Sequence, residues 1–137
     1  MKKLALILSF LLLFTYNISF AQDLKIVAEG AILIDGETGQ ILYEKNSHKK
    51  LYPASTTKIM TAILAIENGN RDDIVTIDEE IVSLTDGSHI ALEVGEKLKF
   101  KDLLNALLIE SANDAALAIA KHISGSIKEF VQLMNEK

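Results

Sequence analysis

The sequence predicts a mixed α+β fold, α/β in the broad sense, in which packed helices outweigh an antiparallel sheet. Two observations predict it. Ile59 to Ile66 and Leu103 to Ile109 are helical runs with apolar residues on nearly every side, and such helices belong inside a protein. Ala31-Ile32-Leu33-Ile34 and Gln40-Ile41-Leu42-Tyr43 are short strand-like runs around the turn-rich Asp35-Gly36-Glu37-Thr38-Gly39, the pattern of a β-hairpin.

The chain begins with the basic Met1-Lys2-Lys3, an apolar run from Leu4 to Phe14, and Ser19-Phe20-Ala21 before Gln22. That is the layout of a secretory signal peptide cut after Ala21. The apolar core is short for a bilayer span, which argues against an uncleaved anchor. The expectation is an exported protein whose mature chain, residues 22–137, forms one modest domain. Removing the leader takes away two lysines and no acid, leaving 12 basic against 19 acidic residues. An acidic chain with no basic patch argues against nucleic acid as a partner. There are no cysteines, so disulfides play no part. His48, His89 and His122 are isolated, without the spacing of metal ligands, and read as surface or loop residues; no metal or cofactor is expected.

After the hairpin, Glu44 to Lys50 reads as a solvated loop, and Pro53 permits a helix to start just beyond it. The apolar helix then runs to about Asn68, where Gly69 stops it. Asp72 to Ile77 reads as a small strand, Asp78 to Leu84 as a short helix, and Thr85-Asp86-Gly87-Ser88 as a turn. Val94-Gly95-Glu96 is another turn, leading through Lys97 and Leu98 into a helix that starts near Lys101. Ser111, Ala112 and Asn113 break it, because serine and asparagine prefer caps and turns to helix interiors. A helix from about Asp114 to Ile123 ends at Gly125, and Ser126 caps a last amphipathic segment with Ile127, Phe130, Val131 and Met134 on one face.

The chemistry is concentrated in Tyr52-Pro53-Ala54-Ser55-Thr56-Thr57-Lys58. Lys58 is the only charge between Leu51 and Ile66. Ser55 and Lys58 are three residues apart and share a helix face. A lysine at the mouth of a buried helix loses solvation, which favours its neutral form and makes it a base; a serine needs such a base within reach to become a nucleophile. The plainer alternative is that Ser55 only caps the helix and Lys58 snorkels out of it. For Ser111-Ala112-Asn113 the plainer alternative is a helix–helix corner whose side chains satisfy loose backbone groups.

Both motifs together resemble the serine-type D-alanyl-D-alanine carboxypeptidases, the low-molecular-mass penicillin-binding proteins. The resemblance runs through Pro53 to Thr61, Ser111 to Ala116, and Gly125-Ser126 with Phe130, Val131, Leu133, Met134 and Asn135; the hairpin from Asp35 to Tyr43 and the Gly95-Glu96 turn also look like the family. It implies a β-lactamase/transpeptidase-like domain, with these helices packed against an antiparallel sheet. It also implies roles: Ser55 as nucleophile, Lys58 as proton acceptor (a disputed assignment in related enzymes), Ser111 as proton relay, and Asn113 as a substrate-binding residue that helps hold Lys58. The substrate would be a peptidoglycan stem peptide ending in D-Ala-D-Ala, in the periplasm or at the outer face of the cytoplasmic membrane, and β-lactams would acylate Ser55. Ser83 and Ser88, near neither motif in sequence, are expected to matter little. No K-T-G, the family's third motif, occurs in the sequence. The expectation is therefore the N-terminal part of a catalytic domain, with no membrane attachment evident. The readings set beside it are an inactive truncated relative and a class A β-lactamase, which has S-D-N at the second motif.

Overall fold

The structure, a computed structural model, describes residues 24–137; the expected signal peptide, Met1 to Ala21, lies outside them. The chain divides at Leu51 into two units.

The first unit holds the expected hairpin. Strands β1 (Ala31–Ile34) and β2 (Ile41–Lys45) pair antiparallel, with an irregularity between Leu33 and Ile34. The turn forms because the Asp35 carboxylate accepts from Thr38 N–H at 2.7 Å and from the Thr38 hydroxyl at 2.6 Å, while Gly39 takes a positive φ of 72°. These hydrogen bonds, the Thr38 hydroxyl first, hold the Asp35 carboxyl below its usual range. Strand β2 runs two residues further than the sequence suggests. Lys45 is drawn out of the expected loop because its ammonium donates to the Ile26 carbonyl at 2.7 Å.

The second unit, Tyr52–Lys137, is helical. It contains α1 (Thr57–Asn68), β3 (Ile74–Thr76), α2 (Glu79–Leu84), β4 (Lys97–Lys99), α3 (Phe100–Ile109), α4 (Asn113–Ser124) and α5 (Ile127–Glu136). Strand β4 is a correction: Lys97 to Lys99 carry too few apolar residues to read as a strand, yet they pair antiparallel with β3, Val75 opposite Leu98. The ladder continues through Ile77 N–H to the Glu96 carbonyl at 2.9 Å. Pairing a distant partner supplies what local propensity does not.

Helix α4 is the hub. Its alanines Ala115 and Ala118 are fully buried, and their small side chains let α1, α2, α3 and α5 all pack against it. Phe100, Leu103, Leu107, Ile77, Ile81 and Ile119 fill the main core around them. Phe100 also lies against Gly69. A Cβ built on Gly69 would stand 2.4 Å from the Phe100 ring and 2.7 Å from the Ala65 carbonyl, so glycine is required there for space. Gly69 ends α1 in extended geometry, φ −97°, while Gly125 ends α4 in the left-handed geometry expected of a terminal glycine, φ 79°. Ser126 caps α5 through Glu129 N–H as expected.

The two apolar helices, expected to belong inside a protein and to need cover on all sides, are only partly covered in this chain. Helix α1 buries Thr61, Ala62, Leu64 and Ala65 but leaves Ile59, Ile63 and Ile66 exposed. Helix α3 buries Phe100, Leu103 and Leu107 but leaves Leu108 and Ile109 exposed. Within this unit α1 and α3 each bury one face only. His122, expected as filler, is also more than that: its ring packs 5.5 Å from Phe100 and its Nε2 lies 3.1 Å from Asp73.

Candidate active site

Ser55 sits on a 3₁₀ turn, Ala54–Thr56, that leads into α1. Pro53 sets up the turn: its carbonyl accepts from Thr56 N–H at 3.1 Å and also from the Thr56 hydroxyl. Ala54, just before Ser55, has φ 46°. That is the left-handed region, unfavourable for a residue with a Cβ, and such conformations gather where function needs a particular geometry. Neither the 3₁₀ turn nor α1 has a side-chain cap hydrogen bond at its start, so the reading of Ser55 as a simple cap falls. Ser55 is exposed, ahead of the first residue of α1.

Lys58 is half-buried, not enclosed as the sequence suggests. It does not snorkel into solvent either. Its Nζ donates to Ser111 Oγ at 3.0 Å, across 53 residues of sequence. This bond joins the two motifs. Ser111 links α3 to α4 with φ 55°, a second left-handed non-glycine residue. The next residue, Ala112, is fully buried and its N–H bonds to the Ala106 carbonyl at 3.2 Å, which fixes the turn from the α3 side.

Asn113 is the first residue of α4. Its side-chain amide donates to the Asp86 carbonyl, and its backbone N–H donates to the Ser88 carbonyl at 2.7 Å. Among the described residues no hydrogen bond joins Asn113 to Lys58; the implied direct hold is replaced by contacts with the Asp86–Ser88 turn.

The four residues line two adjoining clefts that share Ser55 and Lys58. One, about 280 Å³, also takes in Ser111; the other, about 380 Å³, takes in Asn113. Among the described residues Lys58 is the one charged side chain lining either cleft. A third, largely apolar cavity of about 330 Å³ adjoins at Thr57, Thr61 and Asn113. Chemically, this is a hydroxyl at the start of a helix, a lysine amino group three residues on, and a second hydroxyl bonded to that nitrogen. Such a set can pass a proton between two hydroxyls and a reacting group in the cleft. Among the described residues no cluster of His, Asp and Glu side chains could hold a metal.

The D-alanyl-D-alanine carboxypeptidase family profile matches residues 17–137. The chain belongs to that family. It is 45% identical over 114 residues to D-alanyl-D-alanine carboxypeptidase DacF of Bacillus subtilis, a match covering 80% of this chain and 29% of the relative. It is 34% identical to DacA of Haemophilus influenzae, covering 98% of this chain and 37% of the relative. Among solved structures, DacD of Francisella tularensis superposes with a TM-score of 0.79 at 35% identity, over 87% of this chain and 30% of that one. Penicillin binding protein 5 of Haemophilus influenzae does so with a TM-score of 0.76 at 32% identity, over 85% of this chain and 36% of that one. The fold is therefore the penicillin-binding, transpeptidase-like one. The chain spans about a third of the length of the curated relatives it matches.

Several residues of the site were not legible in the sequence. Ser88, expected to matter little, donates its hydroxyl to the Glu110 carbonyl at 2.9 Å and accepts from Asn113 N–H. Its partners lie more than twenty residues away, so no local pattern marks it. Asp114 is almost fully buried and accepts from the N–H groups of Ile90, Leu92 and Ala115. An acid in the first turn of a helix is a recognisable signal, though it points to the helix rather than to the loop that Asp114 also holds.

Proposed function

We propose that the protein is a serine-type D-alanyl-D-alanine carboxypeptidase that removes the terminal D-alanine of peptidoglycan stem peptides during cell-wall synthesis and remodelling. The observation that carries this reading is the 3.0 Å bond from Lys58 Nζ to Ser111 Oγ beside Ser55 in one cleft. Ser55 Oγ attacks the carbonyl carbon of the penultimate D-alanine, and its proton passes to Lys58. The Ser55 backbone N–H, near the start of a helix, donates to the developing oxyanion. Ser111 relays the proton towards the departing amine as the C–N bond breaks, and Asn113 hydrogen-bonds the substrate backbone. Water then hydrolyses the ester of Ser55.

β-Lactams present an amide in the place of the scissile bond and acylate the same oxygen. Export suits such a substrate, and cleavage after Ala21 would deliver the mature chain from Gln22. Among the described residues no helix is long and apolar enough to cross a membrane. The test is labelling with a fluorescent penicillin followed by peptide mapping: the adduct is expected on Ser55, and Ser55→Ala is expected to abolish it. An adduct on another serine overturns the assignment.

A further inference from the structure

The reaction as drawn needs Ser111 to keep its hydroxyl on Lys58, yet Ser111 stands in a backbone conformation that a residue with a Cβ disfavours, φ 55°. Something must hold it there. The α3 side supplies the bond from Ala112 N–H to the Ala106 carbonyl. Beside that bond, the Glu110 N–H bond to the same carbonyl and the Lys58 bond itself, the turn is held by one loop, Asp86 to Leu92. The Ser88 hydroxyl donates to the Glu110 carbonyl, immediately before Ser111. The Ser88 carbonyl accepts from Asn113 N–H, two residues after it. The Asp86 carbonyl accepts from the Asn113 side chain. Residue 88 thus spans the turn like a clasp, with one bond on each side of Ser111.

The loop is fastened in turn. The Asp114 carboxylate, 1% exposed, accepts from Ile90 N–H at 3.1 Å, Leu92 N–H at 3.1 Å and Ala115 N–H at 2.8 Å. A buried carboxylate with three N–H donors is satisfied where it is and costly to move. Gly87, with φ 72°, lets the loop approach, since a Cβ there would meet the Asn113 amide nitrogen at 3.1 Å. The loop is therefore anchored at one end by the same helix whose first turn it clasps.

We infer that Ser88 is a positioning residue of the active site, holding Ser111 in its left-handed conformation through the Asp114-anchored loop so that its hydroxyl stays on Lys58. The inference rests on the reaction proposed above. Ser88 lines neither cleft and makes no hydrogen bond to Lys58; it acts through Ser111.

The test uses the protein as its host exports it, with Ser88→Ala and Ser88→Thr variants. Ser88→Ala deletes the bond to the Glu110 carbonyl and keeps the backbone bond; Ser88→Thr restores a hydroxyl. Acylation of Ser55 by a fluorescent penicillin is measured across penicillin concentrations, which separates binding from the chemical step. Ser88→Ala should slow the chemical step about 10- to 100-fold, the scale on which small displacements of a catalytic group act, with binding within about 3-fold of wild type. Ser88→Thr should recover most of the rate. Hydrogen exchange of the 111–115 segment should be faster in Ser88→Ala and near wild type in Ser88→Thr. An unchanged acylation rate in Ser88→Ala, or a slowing that Ser88→Thr does not reverse, overturns the inference. If wild-type Ser55 takes no label, the proposed reaction fails by itself, and exchange alone decides the clasp: faster exchange in Ser88→Ala supports it, unchanged exchange overturns it.

Discussion

At the scale of single residues, the candidate site is defined by a lysine bonded to one serine with another serine in the same cleft, and by two backbone positions, Ala54 and Ser111, that resist their own conformations. Lys58→Ala removes both the proposed proton acceptor and the donor to Ser111. It should slow acylation of Ser55 by about 10²–10⁴-fold, the usual contribution of a positioned acid–base group, measured by stopped-flow labelling. Ser111 offers a cleaner separation of chemistry from conformation. Ser111→Ala and Ser111→Gly both delete the hydroxyl and should impair turnover alike, but at φ 55° the glycine avoids the Cβ penalty. Ser111→Gly should thus be the more stable of the two by up to about 1 kcal/mol, the left-handed penalty less the entropy of glycine in the unfolded chain, read from denaturant midpoints. Equal stabilities would mean that the backbone at 111 is relaxed. The structure brings Lys58 to Ser111. Ser55, Lys58, Ser111 and Asn113 were legible as candidates because their types and order make a pattern. The positive φ at Ala54 and Ser111 was not, since neither residue type favours it.

At the scale of elements, the helices were legible from their apolar periods and their ends from Gly69, Gly125 and Ser126, whereas β4 was not. Lys97 to Lys99 become a strand only through pairing with β3, a partner more than twenty residues back. Two contacts between elements give tests. Gly69→Ala places a methyl against the Phe100 ring and the Ala65 carbonyl. It should destabilise by about 1–3 kcal/mol, as overpacking does, seen as a lowered melting temperature; a neutral effect would mean the ring can turn aside. Lys121, on α4, pairs with Asp78 and Glu80 at the start of α2. The Lys121 ammonium holds the Asp78 carboxyl below its ordinary value of 3.8, aided by Ile81 N–H, and Asp78 and Glu80 raise Lys121 above 10.5. A lowered carboxylate contributes stability above its unfolded value and loses it as pH falls through the folded one; a raised ammonium contributes below 10.5 and loses it as pH rises past its folded value. Both contributions are therefore present at neutral pH. The gap in melting temperature between wild type and Lys121→Met should be widest between pH 3.8 and 10.5 and shrink as pH falls below 3.8 through the folded value of Asp78, with the gap reduced by salt because the pair is solvent-facing. A gap that does not change with pH would assign it to packing of the lysine stem instead.

At the scale of the whole molecule, the chain carries the Ser55 turn and the Ser111 turn of the candidate site on helices that keep an apolar face outward. Ile59 is 59% exposed, Ile66 67% and Ile109 76%, and the hairpin exposes Ile32, Leu33, Ile41 and Leu42. Exposed apolar surface of this kind invites association, so residues 22–137 alone should bind an apolar dye and self-associate. Sharp, cooperative melting of a monomer would contradict that. The sequence marked these helices as apolar nearly all round; it did not reveal which side the neighbouring helices take, because that depends on packing around α4. The central claim is that Ser55 is the nucleophile and Lys58 its partner. It is tested most directly by a chimera in which residues 22–137 replace the matching stretch of Bacillus subtilis DacF, labelled with a fluorescent penicillin and mapped by mass spectrometry. The account predicts one adduct, on Ser55, lost in Ser55→Ala and greatly slowed in Lys58→Ala. Labelling at wild-type rate in Lys58→Ala, or an adduct on any other residue of 22–137, would contradict it.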